Sequence, residues 1–535
     1  MSYFQRFSDR IKREWITWDN RQRIADLAGF VKQASPNTNN KSPVIFFNAS
    51  TRLEGLSLNA AYSLLSSYGI QIAGTPVIHF VCRRGLSRCV LGTNKNDVHS
   101  KPPCRECTNN SVGIFNHQDV KWFEFSESSE LKKEINHLRL EQLIAFNYRG
   151  YPLGKIVLPS LRWILRRQNL LDDDSTRFIA REYILSAFSM LQEYEKLLDE
   201  VHPRAVVVFN GMFYPEAIVR LASMNRGVPV ITHEVGMQPY SAFFTYGYAT
   251  AYSVALPEDF SLSNRQNKRL DDYLAKRFQG DFITAGIKFW PEMHELGSEF
   301  WQKVSKFKHF VPVFTNVIFD TSQAHANVVF PHMFAWLDIV LQEIREHPDT
   351  LFVIRAHPDE LRPGKESCES VAQWVDKHGV AKLANVTFIH SNEMISSYEL
   401  IEHAKFVIVY NSTVGLEAAI KGKPVLCAGK ARYTQVSTVY FPGTMDEFQK
   451  TMRKFLQQPV IPVPEEFIHN ARLVLYSQLF MASLPFADFI ESDGVWNGFV
   501  RIKDFPFESL SPEKSLTIRT VVDGILHQKD FLLKP

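Results

Sequence analysis

The sequence has few of the features that mark secreted, membrane-spanning or nucleic-acid-coating proteins. It contains 6 cysteines among 535 residues, too few and too unevenly spread for a secreted fold held by disulfides. No apolar run approaches the ~20 residues of a membrane-spanning helix, and the start lacks the apolar core of a secretory signal. We therefore expect a cytoplasmic protein.

Neither sign of charge dominates the composition. There are 60 Lys and Arg residues against 57 Asp and Glu, a formal net charge of +3. Such a balance argues against a protein that coats nucleic acid, and we expect no nucleic-acid partner. The chain is too long for one hydrophobic core, which predicts two or more domains.

Residues 1–40 begin with a predicted amphipathic helix. Ile11, Trp15 and Trp18 recur at helical spacing among Arg and Lys residues. Basic residues with interfacial aromatics suit a peripheral foot on the inner face of a membrane. The other interpretation, which we favour, is a helix that packs on the body of the protein.

Short β-branched runs alternate with helical segments through most of the chain. Strand, loop and helix follow one another from Val44, and the pattern restarts at Phe310. This order predicts an α/β protein with two doubly wound parallel-sheet (Rossmann-like) domains that face each other across a cleft. The predicted limits are 41–300 for the first domain, 301–475 for the second and 476–535 for a C-terminal return segment and tail.

Two predicted strands of the second domain end in residues suited to phosphate. Leu351–Ile354 runs into Arg355 and His357, and Phe406–Tyr410 runs into Asn411, Ser412 and Thr413 ahead of a helix. Backbone N–H groups at a helix N-terminus attract anions, and parallel strands bring their carboxyl ends to one crevice. The pattern predicts a nucleotide-sugar crevice.

The stretches RAHPDE, SSYELIEHAKFVIVYNSTVGLEAAIKGKPVLCAG and VFTNVIFD resemble bacterial capsule and surface polysaccharide biosynthesis glycosyltransferases of GT-B architecture. The resemblance lies mainly between Thr315 and Tyr433. The His-Pro pair and the Ser-Thr loop also resemble the donor signatures of CMP-sugar users. The resemblance implies transfer of a sugar from a nucleotide-sugar donor (CMP- or UDP-type) to a surface polysaccharide or lipid-linked glycan acceptor. The donor-binding candidates are Arg355, His357, Glu360, Ser412, Thr413, Gly415, Glu417, Asn316 and Asp320.

The catalytic base has to come from elsewhere. The short acidic signature that supplies it in bacterial sialyltransferases, an Asp or Glu followed by Asp-Gly, is absent from this sequence. A base must take the proton of the acceptor hydroxyl while fixed positive charge stabilises the departing phosphate. Strand-end residues of the first domain, Glu234 and His233, are the leading candidates, with Glu54 behind them, and we expect no cofactor for catalysis.

Four cysteines lie together in the first domain. Cys82 and Cys89 are separated by six residues, and Cys104 and Cys107 by two, the tight spacing that places two thiolates on one metal. We interpret the cluster as a structural zinc site. Reduced, unliganded thiols are the main alternative, and an iron–sulfur cluster is a third.

Two other functions fit the same pattern. A nucleotide-sugar epimerase would share the fold and the donor crevice, and would convert its nucleotide sugar without any acceptor. A non-catalytic glycan-binding or assembly protein would keep the fold without turnover, and its activity would not depend on His357.

Overall fold

The structure is a computed structural model that describes residues 3–36, 41–254, 256–257, 259–279, 283–284, 287–288 and 293–534. The strands are β1 (Val44–Asn48), β2 (Leu56–Ser57), β3 (Val77–Cys82), β4 (Val120–Phe123), β5 (Ala205–Phe209), β6 (Val230–Val235), β7 (Ser241–Thr245), β8 (Ile283–Thr284), β9 (Ile287–Lys288), β10 (His309–Phe314), β11 (Thr350–Arg355), β12 (Val386–Ile389), β13 (Val407–Val409), β14 (Val425–Cys427), β15 (Leu484–Pro485), β16 (Ile490–Ser492) and β17 (Phe499–Ile502).

The helices are α1 (Tyr3–Ala34), α2 (Leu58–Ile72), α3 (Cys104–Phe115), α4 (Ser129–Ile135), α5 (Leu140–Ile144), α6 (Leu153–Leu165), α7 (Asp174–Val201), α8 (Tyr214–Asn225), α9 (Asn264–Phe278), α10 (Ser298–Val304), α11 (Gln323–Ala326), α12 (Met333–Glu346), α13 (Val371–Lys377), α14 (Ser397–His403), α15 (Val414–Ile420), α16 (Met445–Gln457), α17 (Glu465–Tyr476) and α18 (Leu516–His527).

The first sheet has the strand order β15-β7-β6-β5-β1-β3-β4. The strands from β6 to β4 pair in parallel, whereas β7 and β15 pair antiparallel at one edge. The first four residues of β1, Val44–Phe47, are all buried, as expected where helices cover both faces of a parallel sheet. The carboxyl ends of β1, β5 and β6 therefore share one rim.

The second sheet has the order β12-β11-β10-β13-β14, and every pairing in it is parallel. Each residue of β11 is buried, from Thr350 to Arg355. Because the order changes direction at β10, the neighbouring strands β11 and β13 lead to connections on opposite sides, which opens a crevice at their carboxyl ends. The predicted α/β fold, with two Rossmann-like sheets across a cleft in GT-B architecture, is confirmed.

Helix α1 packs on the first domain through one face. Ile16, Ile24, Leu27 and Val31 are buried, and the Asn20 amide exchanges hydrogen bonds with the backbone of β17. The opposite face carries the aromatic stripe that the sequence predicted, with Trp15 52% and Trp18 58% exposed. Positions 1, 2 and 37–40 lie outside the described residues.

The chain crosses between the domains twice. It leaves the first sheet after β7, and Leu270 and Leu274 of α9 already pack in the core of the second domain. It returns after α17, where β15 pairs with β7 and α18 packs against α2. Within the described part of the chain, no helix combines the length and apolarity that crossing a bilayer demands. The predicted domain limits stay predictions.

Candidate functional site

A cleft of about 790 Å³ lies between the two domains. The segment 247–253, which follows β7, forms its first-domain wall, and the ends of β10, β11, β13 and β14 form its second-domain wall. Of the predicted donor residues, the cleft is lined by Asn316, Asp320, Arg355, His357, Ser412, Thr413 and Glu417. The structure thus brings together seven side chains that are scattered over about a hundred residues of sequence.

Arg355 is the last residue of β11 and is only 4% exposed. Its Nη1 is buried without a hydrogen-bond partner among the described residues. Burial lowers the pKa of the guanidinium to about 10, against a smaller opposing effect of the Glu393 carboxylate. A buried guanidinium with an unused donor is costly unless an anion binds it.

His357 follows Arg355 by two residues, at the start of a short turn. Its Nδ1 accepts a hydrogen bond from the Asp359 N–H at 3.1 Å, which fixes the ring orientation. Burial lowers the pKa of His357; the Arg355 charge also lowers it, whereas Asp359 and Asp320 raise it. The imidazole is therefore held in its neutral form at neutral pH beside a permanent cation.

Two further cations line the cleft after β14. Lys430 and Arg432 belong to the connection that leaves this strand, and the Arg432 guanidinium carbon lies 4.2 Å from the centre of the Tyr252 ring in the first domain. This cation–π contact joins the two walls. Lys430 and Arg432 were not among the predicted site residues. They follow the end of β14 in the sequence CAGKAR, so the expectation that polar residues at strand ends line the cleft would have identified them.

Glu417 and Gly415 both lie on α15, but only Glu417 lines the cleft. The Glu417 carboxylate pairs with Arg277 Nε at 2.6 Å and accepts a hydrogen bond from Tyr398 at 2.9 Å. Both of its oxygens are therefore already engaged. Gly415 does not line the cleft, but a Cβ there would lie 2.4 Å from Tyr433 Oη, so the absent side chain lets α15 pack close to Tyr433.

The loop after β13 is tied to its neighbours through its backbone and through Asn411. The Asn316 amide donates to Asn411 Oδ1 at 2.7 Å, which links the ends of β10 and β13. Tyr433 donates to the carbonyl of Ser412 at 2.8 Å. Ser412 and Thr413 thus line the cleft on a loop that is held from two sides.

A hydrogen bond between Thr250 Oγ1 and His325 Nε2, 3.0 Å long, also connects the two walls. Burial lowers the pKa of His325 to about 4, with help from Lys430 and Arg220. No pattern in the sequence indicated either residue, because their contact depends on how the two domains meet.

Glu234, the leading predicted base, lies on β6 behind the cleft. Its carboxylate accepts hydrogen bonds from Asn210 Nδ2 at 3.2 Å, from Asn59 Nδ2 at 3.4 Å and from the Val235 N–H at 3.0 Å. Burial raises its pKa against these hydrogen bonds, and the Asp320 carboxylate of the second domain raises it further. Glu234 is therefore close enough to the second domain for the Asp320 charge to affect its pKa. The residue is only partly buried.

The structure does not bring three other predicted residues to the cleft. His233 alternates with Glu234 along β6 and points into the core between Phe209 and Phe244, where burial lowers its pKa to about 3. Glu54 faces Arg13 at 3.8 Å and lines a different cavity. Glu360 is buried behind β11.

Glu360 has a structural environment. Its carboxylate accepts hydrogen bonds from the Val371 N–H at 3.1 Å and from Ser391 Oγ at 2.9 Å. Burial raises its pKa to about 7 against the effect of these bonds. Arg355 and Glu360, which could have formed an ion pair by their spacing, thus have separate surroundings.

The four clustered cysteines line a second cavity, in the first domain. All four are free thiols. Among the described residues, no three Cys, His, Asp or Glu side chains are arranged to hold one metal ion. The zinc site stays a prediction.

The fold and the cleft define a two-domain α/β protein with a cation-lined cleft between its sheets. Residues 290–455, which include most of the second-domain wall, match the family model for capsule polysaccharide biosynthesis proteins. Over these residues the chain is similar to that family, and the resemblance predicted from the sequence is confirmed.

Individual relatives agree. The chain is 27% identical over 281 residues to Protein FixF of Sinorhizobium fredii, covering 52% of this chain and 58% of FixF. It is 26% identical over 183 residues to the capsule polysaccharide modification protein LipB of Neisseria meningitidis serogroup A, covering 32% of this chain and 40% of LipB. The matches thus span about half the length of these relatives. A solved structure of Thermosulfurimonas dismutans KpsC, a beta Kdo 2,4 transferase, aligns with a TM-score of 0.35 and 11% identity, covering 52% of this chain and 80% of that one.

Proposed function

We propose that the protein is a glycosyltransferase that moves a sugar from a CMP- or UDP-type nucleotide-sugar donor to a surface polysaccharide or lipid-linked glycan acceptor. The observation that carries the proposal is Arg355, a buried guanidinium in the cleft wall whose Nη1 has no hydrogen-bond partner among the described residues. Desolvated guanidinium groups bind phosphate strongly. A donor diphosphate or monophosphate supplies the missing acceptor.

The departing phosphate needs positive charge that is already in place. Arg355, Lys430 and Arg432 line the same cleft, and a preorganised cation in a water-poor site stabilises developing negative charge without reorganisation. The proposed transfer therefore uses protein cations where other transferases use a divalent metal. His357 is neutral and its Nδ1 accepts from the Asp359 N–H, so its Nε2–H donates a hydrogen bond to the nucleotide.

The proposed base is Glu234. Its raised pKa brings the carboxylate closer to neutral pH, where a base works best. Its hydrogen bonds from Asn210 and Asn59 fix the carboxylate, and the Asp320 charge of the second domain contributes to its raised pKa. An acceptor hydroxyl bound between the two walls would lose its proton to Glu234 as the bond to the donor phosphate breaks.

A thermal-shift screen of the full chain against CMP, UDP, GDP and their sugars tests donor binding. A ligand that binds only the folded state raises the melting temperature by mass action. We expect at least one nucleotide to raise it by a few degrees in the native protein and in the exposed-arginine control R345A, but not in R355A. If no nucleotide shifts the native protein, the proposal fails.

Turnover distinguishes transfer from epimerisation. The transferase releases free nucleotide in proportion to glycosylated acceptor, whereas an epimerase converts the nucleotide sugar without an acceptor. Conversion of the donor alone would overturn the proposed function while leaving the donor site intact.

We also propose that the exposed face of α1 contacts a membrane surface peripherally. Ile11, Trp15 and Trp18 are each more than half exposed on one face, and Arg10 and Lys12 lie beside them. Interfacial aromatics flanked by cations bind anionic bilayers. Such contact would hold the cleft near a lipid-linked acceptor.

A further inference from the structure

The cavity in the first domain brings together four thiols from three separate pieces of chain. It has a volume of about 340 Å³. Cys82 ends β3, Cys89 lies in the following loop, and Cys104 and Cys107 belong to the first turn of α3. Since all four are free and all four line one space, the fold gathers them without joining them.

Two of the thiols lie in matching Cys-x-x-Gly turns. The Gly85 N–H donates to Cys82 Sγ at 3.2 Å, and the Gly92 N–H donates to Cys89 Sγ at 3.2 Å. A Cβ at Gly92 would lie 2.8 Å from Cys89 Sγ, so glycine is what lets the turn close on the sulfur. Backbone N–H bonds of this kind stabilise sulfur that carries negative charge, as metal-bound cysteine does.

The four thiols lie around one shared space. Cys82, Cys89, Cys104 and Cys107 all line the same cavity, so the fold assembles them into one four-sulfur group.

The arginines around the four thiols suit a bound cluster that carries net negative charge. Arg84 and Arg88 lie near Cys104, and Arg52 lies near Cys107. Four thiolates around an iron–sulfur cluster carry net negative charge, and these guanidinium groups would offset it. The rest of the lining is largely apolar and includes Leu86, Leu91, Pro102, Pro103, Trp496 and Phe499.

The arrangement of the thiols favours several metal ions over one. Zinc binds thiolate at about 2.3 Å, which sets four sulfurs about 3.8 Å apart around the ion. Among the described residues, no three Cys, His, Asp or Glu side chains are arranged to hold one ion, whereas all four sulfurs line one cavity. We propose that Cys82, Cys89, Cys104 and Cys107 bind an iron–sulfur cluster, with one cysteine for each iron of a four-iron cluster.

The loop that follows β1 links the cysteine cavity to Glu234. Asn110 of α3 donates through Nδ2 to the carbonyls of Thr51 and Gly55, at 3.1 and 3.0 Å. It therefore holds this loop, which carries Arg52. Arg52 lies near both Cys107 and Glu234. A cluster held by Cys104 and Cys107 would fix the start of α3 and, through Asn110, this loop; a role for Arg52 at Glu234 rests on the proposed function.

Anaerobic purification of the full chain, with assays for iron, zinc and acid-labile sulfide, tests the proposal. We expect about four iron and about four sulfide per chain, with the broad visible absorption of a sulfide-bridged cluster. C104S and C107S should each lose at least about half of the iron, and the double variant should fall to background. C368S changes an exposed cysteine away from the cavity and should keep the full content.

Reconstitution keeps the test independent of how the variants fold. Metal-free native chain, with its far-ultraviolet circular dichroism unchanged, should regain iron, sulfide and visible absorption when given ferrous iron and sulfide. Zinc at about one per chain without sulfide would overturn the proposal in favour of a zinc site. Failure of the folded native chain to take up iron, or equal iron loss in C368S, would also overturn it. None of these readouts depends on glycosyl transfer.

Discussion

The two domains differ in the charge that they bury near the cleft. The second domain buries a cation at a strand end, Arg355, with an unused donor nitrogen. The first domain has acids instead. Glu234 is half-buried and its pKa is raised. Glu216 is only 6% exposed, and its Oε2 has no hydrogen-bond partner among the described residues. One side is built to receive an anion and the other to hold or release a proton.

Under the proposed function, this asymmetry would give each domain one half of the chemistry. Nucleotide-sugar transfer needs a phosphate site and a proton acceptor on opposite sides of the reacting carbon. The contacts Thr250–His325 and Tyr252–Arg432 join the two walls. E234Q and R355A each change one of the two domain walls and leave the other intact.

The largest effect is expected at Glu234. E234Q keeps the shape of the side chain and one accepting oxygen for Asn59 and the Val235 N–H, loses the bond from Asn210 and removes the base, so kcat should fall by about 10²–10⁴-fold while nucleotide binding is unchanged. Turnover of the donor identified by thermal shift measures kcat, and the thermal shift of the same samples measures nucleotide binding. D320N tests the alternative that Asp320 is the base. A larger loss of kcat in D320N than in E234Q would assign the base to the second domain. The exposed control E200Q should match the native protein.

R355A removes the second-domain side of the contrast. Loss of a fixed cation at the departing phosphate should reduce kcat/KM by about 10²–10³-fold and abolish the thermal shift by nucleotide. R345A, on the exposed face of α12, should change neither. Normal nucleotide binding by folded R355A would show that the phosphate lies elsewhere in the cleft.

Glu216 gives the first domain a pH-dependent stability. Burial raises its pKa to about 8, so between the ordinary value of 4.5 and that pH the folded chain holds a proton that the unfolded chain has released. The free energy of unfolding therefore decreases as pH rises through this window. E216Q should remove this loss and be more stable than the native protein at pH 8, by on the order of 1–3 kcal/mol, with little difference near pH 5. Urea unfolding at both pH values, with E200Q alongside, measures this; equal effects of E216Q at both would contradict it.

The smallest effect is expected on α1. W15A/W18A removes aromatic surface from the exposed face and should reduce binding to phosphatidylglycerol vesicles severalfold, without changing nucleotide binding. Cosedimentation measures the bound fraction, and L171A, another exposed apolar site, controls for general loss of apolar surface. Unchanged vesicle binding would mean that this face does not contact membranes.

The fold and the second-domain wall were predictable because local patterns specify them. The buried runs at β11 and β13 and the polar residues that follow them place Arg355, His357, Ser412 and Thr413 at one crevice whatever the rest of the chain does. Lys430 and Arg432 obey the same rule at the end of β14.

The first-domain wall was not predictable in this way. His233 and Glu234 are adjacent in sequence, but alternation along β6 sends His233 into the core and leaves Glu234 on the other face with Asn59 and Asn210, and the pattern of THEV does not say which. Thr250 and His325 meet only because two domains approach each other. The separation of Glu54 from the cleft likewise follows from the placement of α1 and α3.

The double crossing of the chain between its domains limits how the cleft can open. Two covalent straps, one after β7 and one after α17, join the lobes, and the second is locked to the first sheet where β15 pairs with β7. Lobes joined by a single strap can twist freely, whereas two straps define an axis. Any relative motion of the lobes should therefore be restricted to rotation about the axis that the two straps define.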